Sequence, residues 1–232
     1  MRSNNNQKTH ELIGVGLYEL AEAAAITGIP ANSLKRWLFG YKTQSKHYEG
    51  IWTPSVSEKI PNMLSFHDLL EVRFVDAFRQ HGVSLQAIRE ASSYAREQFN
   101  NDFPFTCRQF QTDGKSIFAV VQEKTGDDSL LDLVKRQQVF KSVVSPSLYQ
   151  GIEYFDDETA ARWFPVKNSE AIVIDPARNF GKPMLNASGL DVETVVQAWK
   201  AEGEDKKRVA RLYELPVNAV EEALNYYSSL VA

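Results

Sequence analysis

The chain has 232 residues, 43% hydrophobic and 24% charged, and a net charge of −4. That balance fits a globular protein of one large or a few small domains and excludes a general nucleic-acid coat, which would be strongly basic. It leaves room for a locally basic DNA-binding face and implies an acidic surface elsewhere.

No run approaches the ~18 apolar residues of a membrane helix. The polar start, MRSNNNQKTHE, lacks the apolar core of a signal peptide and is expected to be a disordered tail over 1–15. Cys107 is the single cysteine, so no intrachain disulfide and no cysteine-rich zinc site can form. The expected compartment is the cytoplasm.

The first structured block runs over 16–40. Leu20, Ala23, Ala24 and Thr27 recur at helical spacing, and Gly28 can take the positive φ of a helix end. Ile29-Pro30 blocks continuation. A second helix, SLKRWLF, follows with Asn32 or Ser33 as its cap, and Gly40 ends it. Two short helices joined by a glycine-containing turn make a helix-turn-helix. The polar segment 41–64, with Tyr41, Tyr48 and Trp52, reads as a β-hairpin wing. Ser65 and Asp68 fit the Ser/Thr-x-x-Asp/Glu capping signature of a strong helix closed by Gly82, and Ser84 caps another reaching Phe99.

Beyond Asn100 the pattern changes. QFQTDGKSIFAVV reads as a hairpin about Asp113-Gly114, a pair suited to a type I′ turn, and KTGDDS as a second turn. A short helix is expected over 140–149 and short strands over 152–155 and 171–174. After a Gly/Pro/Asn-rich stretch, three helices follow: 192–201, KKRVARLYE and NAVEEALNYY. The predicted architecture is mainly α with a small α+β middle region, a winged helix-turn-helix head and a C-terminal three-helix domain. Its expected divisions are 1–15, 16–99, 100–174 and 175–232.

Two stretches, YELAEAAAITGIPANSLKRWLFGY and MLSFHDLLEVRFVDAFRQHGVSLQAIREA, resemble the DNA-binding region of MerR-type regulators. The more specific part is Phe78, Gly82 to Leu85, Ile88 and Arg89; the wing is longer here and lacks the usual arginine-tyrosine motif. The segment from Asp175 to Tyr227 resembles the small domain of unknown function 433, through Gly181 to Pro183, Val192 to Val196 and Val209 to Ala223. Where that domain usually carries Gly-Thr-Arg, this chain has Ser188-Gly189-Leu190, so no role of that arginine carries over. The whole layout is similar to VapB-type antitoxins. The resemblance implies a homodimer that represses its own operon by binding double-stranded DNA and neutralises a toxin, commonly a PIN-like ribonuclease. It also implies a dimer contact along the helix over 85–99. The alternative is a MerR-like transcriptional regulator whose C-terminal region senses a ligand.

Ser33, Lys35 and Arg36 fall near the start of the second helix. Arginine suits guanine O6 and N7, lysine suits guanine or phosphate, and a serine at a helix start suits a phosphate oxygen. Leu34, Trp37 and Leu38 are expected in the core. Tyr41, Lys42, Thr43, Lys46 and His47 form a basic, aromatic segment with two open readings: contact with DNA backbone or minor groove, or a solvated loop. Lys206, Lys207, Arg208 and Arg211 are either a second reading head or the wet face of a helix. The acids Asp156, Asp157 and Glu158 read as a solvated turn or as a surface for a basic cleft. The four histidines show no metal-ligand spacing, and neither a metal nor a cofactor is expected; Cys107 reads as inert, and no catalytic constellation is visible.

Overall fold

The computed structural model describes residues 14–135, 140–141, 143–144 and 146–231. The tail expected over 1–15 lies, up to residue 13, outside the described residues. Contacts divide the chain into two units. One is Tyr18–Tyr149 with Phe155–Ala160; the other holds the described residues up to Leu17, Gln150–Tyr154 and Ala161 onward.

In the first unit, β1 (Tyr18–Glu19) leads into α1 (Leu20–Thr27) and α2 (Ala31–Phe39). The strands β2 (Tyr41–Lys42) and β3 (His47–Tyr48) form an antiparallel hairpin, and β4 (Met63–Leu64) returns to pair with β1. Gly28 ends α1 at φ 73°, its N–H bonded to the Ala24 carbonyl at 2.9 Å. The helix α3 (Phe66–Gln80) starts in a full capping box: Ser65 Oγ accepts from Asp68 N, and the Asp68 carboxylate accepts from Ser65 N at 2.9 Å. Ser84 caps α4 (Leu85–Phe99) by accepting from Ala87 N at 3.0 Å. Both caps stand where the sequence predicts them.

The largest departure lies over 109–121. In place of a hairpin about Asp113-Gly114, Arg108–Thr125 forms one helix of 18 residues, α5. Phe110, Gly114, Ile117, Phe118 and Val121 share its buried face at helical spacing. A Cβ at Gly114 would lie 2.8 Å from Phe110 Cε1, so the ring occupies the space where a side chain would begin. Burial of this face against α4 outweighs the local turn preference of Asp-Gly, and the α+β character of the middle block begins only near Ile152. On α4, Ala87, Ile88, Ala91, Ser92 and Ala95 are buried within the chain.

Phe78, Phe105, Phe110 and Phe118 pack edge to face around this contact, with Phe78 centred 5.0 Å from Phe118 and 5.2 Å from Phe105. The short helices α6 (Leu131–Lys135) and α7 (Pro146–Tyr149) follow, and Tyr149 donates its hydroxyl to the Phe105 carbonyl at 2.9 Å. Glu71 is fully buried among these rings. It accepts from Thr106 N at 2.7 Å, Thr106 Oγ1 at 2.8 Å and Phe105 N at 3.3 Å, holding the loop between α4 and α5.

Further along the chain, β5 (Ile152–Tyr154) pairs with β6 (Ala160–Trp163), and, in the second unit, β7 (Ile172–Val173) pairs with β8 (Met184–Leu185). The predicted strands near 152 and 172 are thus present; their partners were not foreseen. The helices α8 (Val192–Ala201), α9 (Lys206–Leu212) and α10 (Val217–Val231) fall close to their predicted positions. Asp191 caps α8 by accepting from Glu193 N and Thr194 N; Asp205 caps α9 through Lys207 N and Arg208 N. Val195, Val196, Val209, Val220 and Ala223 form the core between them.

Candidate nucleic-acid interface

The helix α2 has two faces. Leu34, Trp37 and Leu38 are buried; Asn32, Lys35 and Arg36 are exposed, with Ser33 half-buried. Pro30 occupies the N-cap position, with no side-chain cap, so neither Asn32 nor Ser33 caps this helix. The fixed φ of proline sets the entry two residues before Asn32 and three before Ser33. Ser33 is then one turn into the helix, on the edge of the lysine–arginine face.

The hairpin that follows pairs Tyr41 with Tyr48 and Lys42 with His47. Its turn is closed by Thr43, whose N–H bonds to the Lys46 carbonyl at 2.8 Å and whose Oγ1 accepts from Lys46 N at 3.1 Å. Thr43 is thereby committed to shaping the turn. Lys42, Lys46 and His47 are exposed. The rings of Tyr41 and Tyr48 stack with centroids 4.6 Å apart and planes 10° apart. Arg36 places its guanidinium carbon 4.5 Å from the Tyr41 centroid, and Lys46 its ammonium 5.1 Å from that of Tyr48. Residues 31–48 contain Lys35, Arg36, Lys42 and Lys46 and no acid, in a chain whose net charge is −4. The local field therefore opposes the global one, as a phosphate-binding surface requires.

Two glycines allow the hairpin to lie against the end of α2. A Cβ at Gly40 would meet the Tyr48 carbonyl oxygen at 2.2 Å, and one at Gly50 the Leu38 carbonyl oxygen at 2.2 Å. Arg89 of α4 clamps the returning strand, donating from Nε to the Gly50 carbonyl at 2.9 Å and from Nη2 to the Glu49 carbonyl at 2.7 Å. Trp52 Nε1 donates to the buried Asp68 carboxylate at 2.7 Å, tying the base of the hairpin to the capping box. Burial raises the Asp68 pKa, opposed by its bonds from Ser65 and Trp52. An open cleft of about 320 Å³ lies between hairpin and α4, lined by Arg36, Tyr41, Lys46, Tyr48, Gln86 and Arg89. Of the residues singled out in the sequence, Arg36, Tyr41 and Lys46 line this cleft; Ser33, Lys35, Lys42 and Thr43 do not. Sequence reasoning missed Tyr48 and Arg89 as parts of the assembly; the cross-strand position of Tyr48 opposite Tyr41 was the available signal.

Other candidates are less organised. Lys206 on α9 pairs with Glu221 at 3.0 Å, and Arg208 lies 3.8 Å from Glu202. Asp156, Asp157 and Glu158 form an exposed turn in which Asp157 Oδ1 accepts from Thr159, a bond that lowers the Asp157 pKa. Cys107 is buried, donates to the Pro104 carbonyl at 3.0 Å, and is pushed by burial to a pKa of about 11, so it stays a thiol. Among the described residues no helix is long and apolar enough to cross a membrane.

A family described as "Protein of unknown function (DUF433)" matches residues 172–227, the stretch from β7 into α10. The chain is 28% identical over 226 residues to "Putative antitoxin VapB45" of Mycobacterium tuberculosis, which covers 91% of this chain and 93% of that protein. It is 23% identical over 222 residues to "Uncharacterized protein Rv2308" of the same organism, covering 90% and 89%. The crystal structure of Rv2018 from Mycobacterium tuberculosis superposes with a TM-score of 0.65 at 25% identity, covering 91% of this chain and 98% of that one. These likenesses support an antitoxin-type protein with a mainly helical fold.

Proposed function

We propose that this chain is the antitoxin of a type II toxin–antitoxin pair. It binds and neutralises a ribonuclease toxin, PIN-like in fold, and represses its own operon in the cytoplasm by binding double-stranded DNA as a homodimer. The observation that carries this reading is the likeness to the VapB45 relative across 91% of the chain, which spans both units. Residues 16–99 act as the DNA-binding part, a helix-turn-helix of MerR-like kind. Its recognition helix is α2, which offers Ser33, Lys35 and Arg36, and its wing is the β2–β3 hairpin, which offers Tyr41, Lys42, Thr43 and Lys46. The basic, acid-free run over 31–48 supports this part of the reading.

Co-expression with the reading frame next to its gene tests the toxin half. A stable complex, together with relief of the growth arrest caused by that frame alone, is the expected result; no complex and no arrest would overturn it. The DNA half is tested with the double substitution Lys35→Ala/Arg36→Ala on a duplex taken from upstream of the gene. Each lost contact to base or phosphate costs about 1–3 kcal/mol, so affinity should fall at least about 10-fold. Unchanged affinity would remove α2 from the recognition role.

A further inference from the structure

We infer that Tyr48 is a positioning residue for DNA recognition, acting through Tyr41 to hold the Arg36 guanidinium ready for the groove. The inference rests on the DNA-binding reading of α2 and the hairpin. It starts from the two neighbours of one ring. Tyr41 carries Arg36 at 4.5 Å from its centroid and the parallel ring of Tyr48 at 4.6 Å. With a cation over its ring and a second ring stacked parallel to it, Tyr41 is already engaged by two neighbours. Its part, and that of Tyr48, is to fix Arg36.

An arginine on an open helix face otherwise samples many rotamers, and binding must freeze them. Stacking on an aromatic face removes part of that cost before DNA arrives. The backbone is built for this contact. Gly40 admits the Tyr48 carbonyl so closely that a Cβ would sit 2.2 Å from it, and Arg89 secures the strand end at Glu49 and Gly50. Tyr48 is 37% exposed, more than core packing alone would leave it. Lys46, over the Tyr48 ring at 5.1 Å, completes the array.

The test is a double-mutant cycle on the full-length chain, with the upstream duplex and a shuffled duplex of equal composition as probes. Tyr48→Leu should weaken binding to the upstream duplex about 5-fold, the size of one exposed cation–π contact. Tyr48→Phe, which keeps the ring, should bind like the unaltered protein. In an Arg36→Ala background Tyr48→Leu should add no further loss, because the residue it serves is gone. An additive loss in that background, or a loss in Tyr48→Phe equal to that in Tyr48→Leu, would overturn the inference: Tyr48 would then act by a route other than Arg36, through Lys46 or by its own contact with DNA in the first case and through its hydroxyl in the second. Failure of the DNA reading looks different, since the unaltered protein would then bind upstream and shuffled duplexes alike.

Discussion

Glu71 is a carboxyl group sealed in an aromatic core, and its titration should be visible in the stability of the protein. Burial lifts its pKa from the ordinary 4.5 to about 7, against the pull of the bonds from Thr106 and Phe105. A carboxyl whose folded pKa is raised favours the fold while it is protonated. Its contribution is therefore complete below about 4.5 and is lost as pH rises through about 7, an effect on the order of 3 kcal/mol. Asp68, also raised by burial, has the same sign. His67 opposes both: it stacks on Phe103 with its Nε2 3.0 Å from the Ala160 carbonyl oxygen, and burial lowers its pKa, so its penalty grows as pH falls below its ordinary 6.5. Glu71→Gln isolates one of these terms. Urea midpoints compared between about pH 5 and pH 8 should fall less steeply in the variant than in the unaltered protein. Parallel curves would mean that Glu71 keeps the same charge across that range.

At the scale of the element, α5 is the case where local and tertiary preferences conflict. Gly114→Ala in an exposed helix would stabilise by about 1 kcal/mol. Here the added Cβ falls 2.8 Å from a ring packed among other rings, so the sign should reverse, with a loss of about 1–3 kcal/mol in thermal or urea unfolding. A gain in melting temperature would show that Phe110 moves aside freely. The same conflict explains what could be read from the sequence. Helices with their own start signals, α3 behind Ser65 and Asp68 and α4 behind Ser84, were legible because cap and periodicity agree. The helix α5 has no side-chain cap at Cys107, and the glycine of a turn dipeptide lies on its buried face, so its helical character rests on its packing. Likewise Lys35 and Arg36 on one helix, and the basic, aromatic segment after it, are legible from residue type alone. The stack of Tyr48 on Tyr41 and the reach of Arg89 to Gly50 depend on strand register and on a contact 39 residues apart in sequence, which local pattern does not encode.

Across the whole molecule, neither unit is one continuous stretch of chain. The second unit takes Gln150–Tyr154 as well as its long C-terminal run. Within it Ile152 is buried, Gly151 accepts a bond from Phe164 N at 2.8 Å, and Gly151 takes φ 78° with no room for a Cβ beside the Phe164 carbonyl. A fragment of residues 150–231 should therefore melt higher than one of residues 161–231. Losing the burial of Ile152 alone, about 1.5–3 kcal/mol, corresponds to roughly 10 °C for a domain of this size. Equal melting temperatures would show that β5 is only appended to this unit. The interleaving also sets a timetable during synthesis. The first unit has all its residues once Ala160 has left the ribosome, whereas Gln150–Tyr154 must wait for the roughly 70 residues still to come, several seconds at ordinary translation rates. Through that interval a half-made chain exposes strand residues destined for burial, and chaperones and proteases have their opening there.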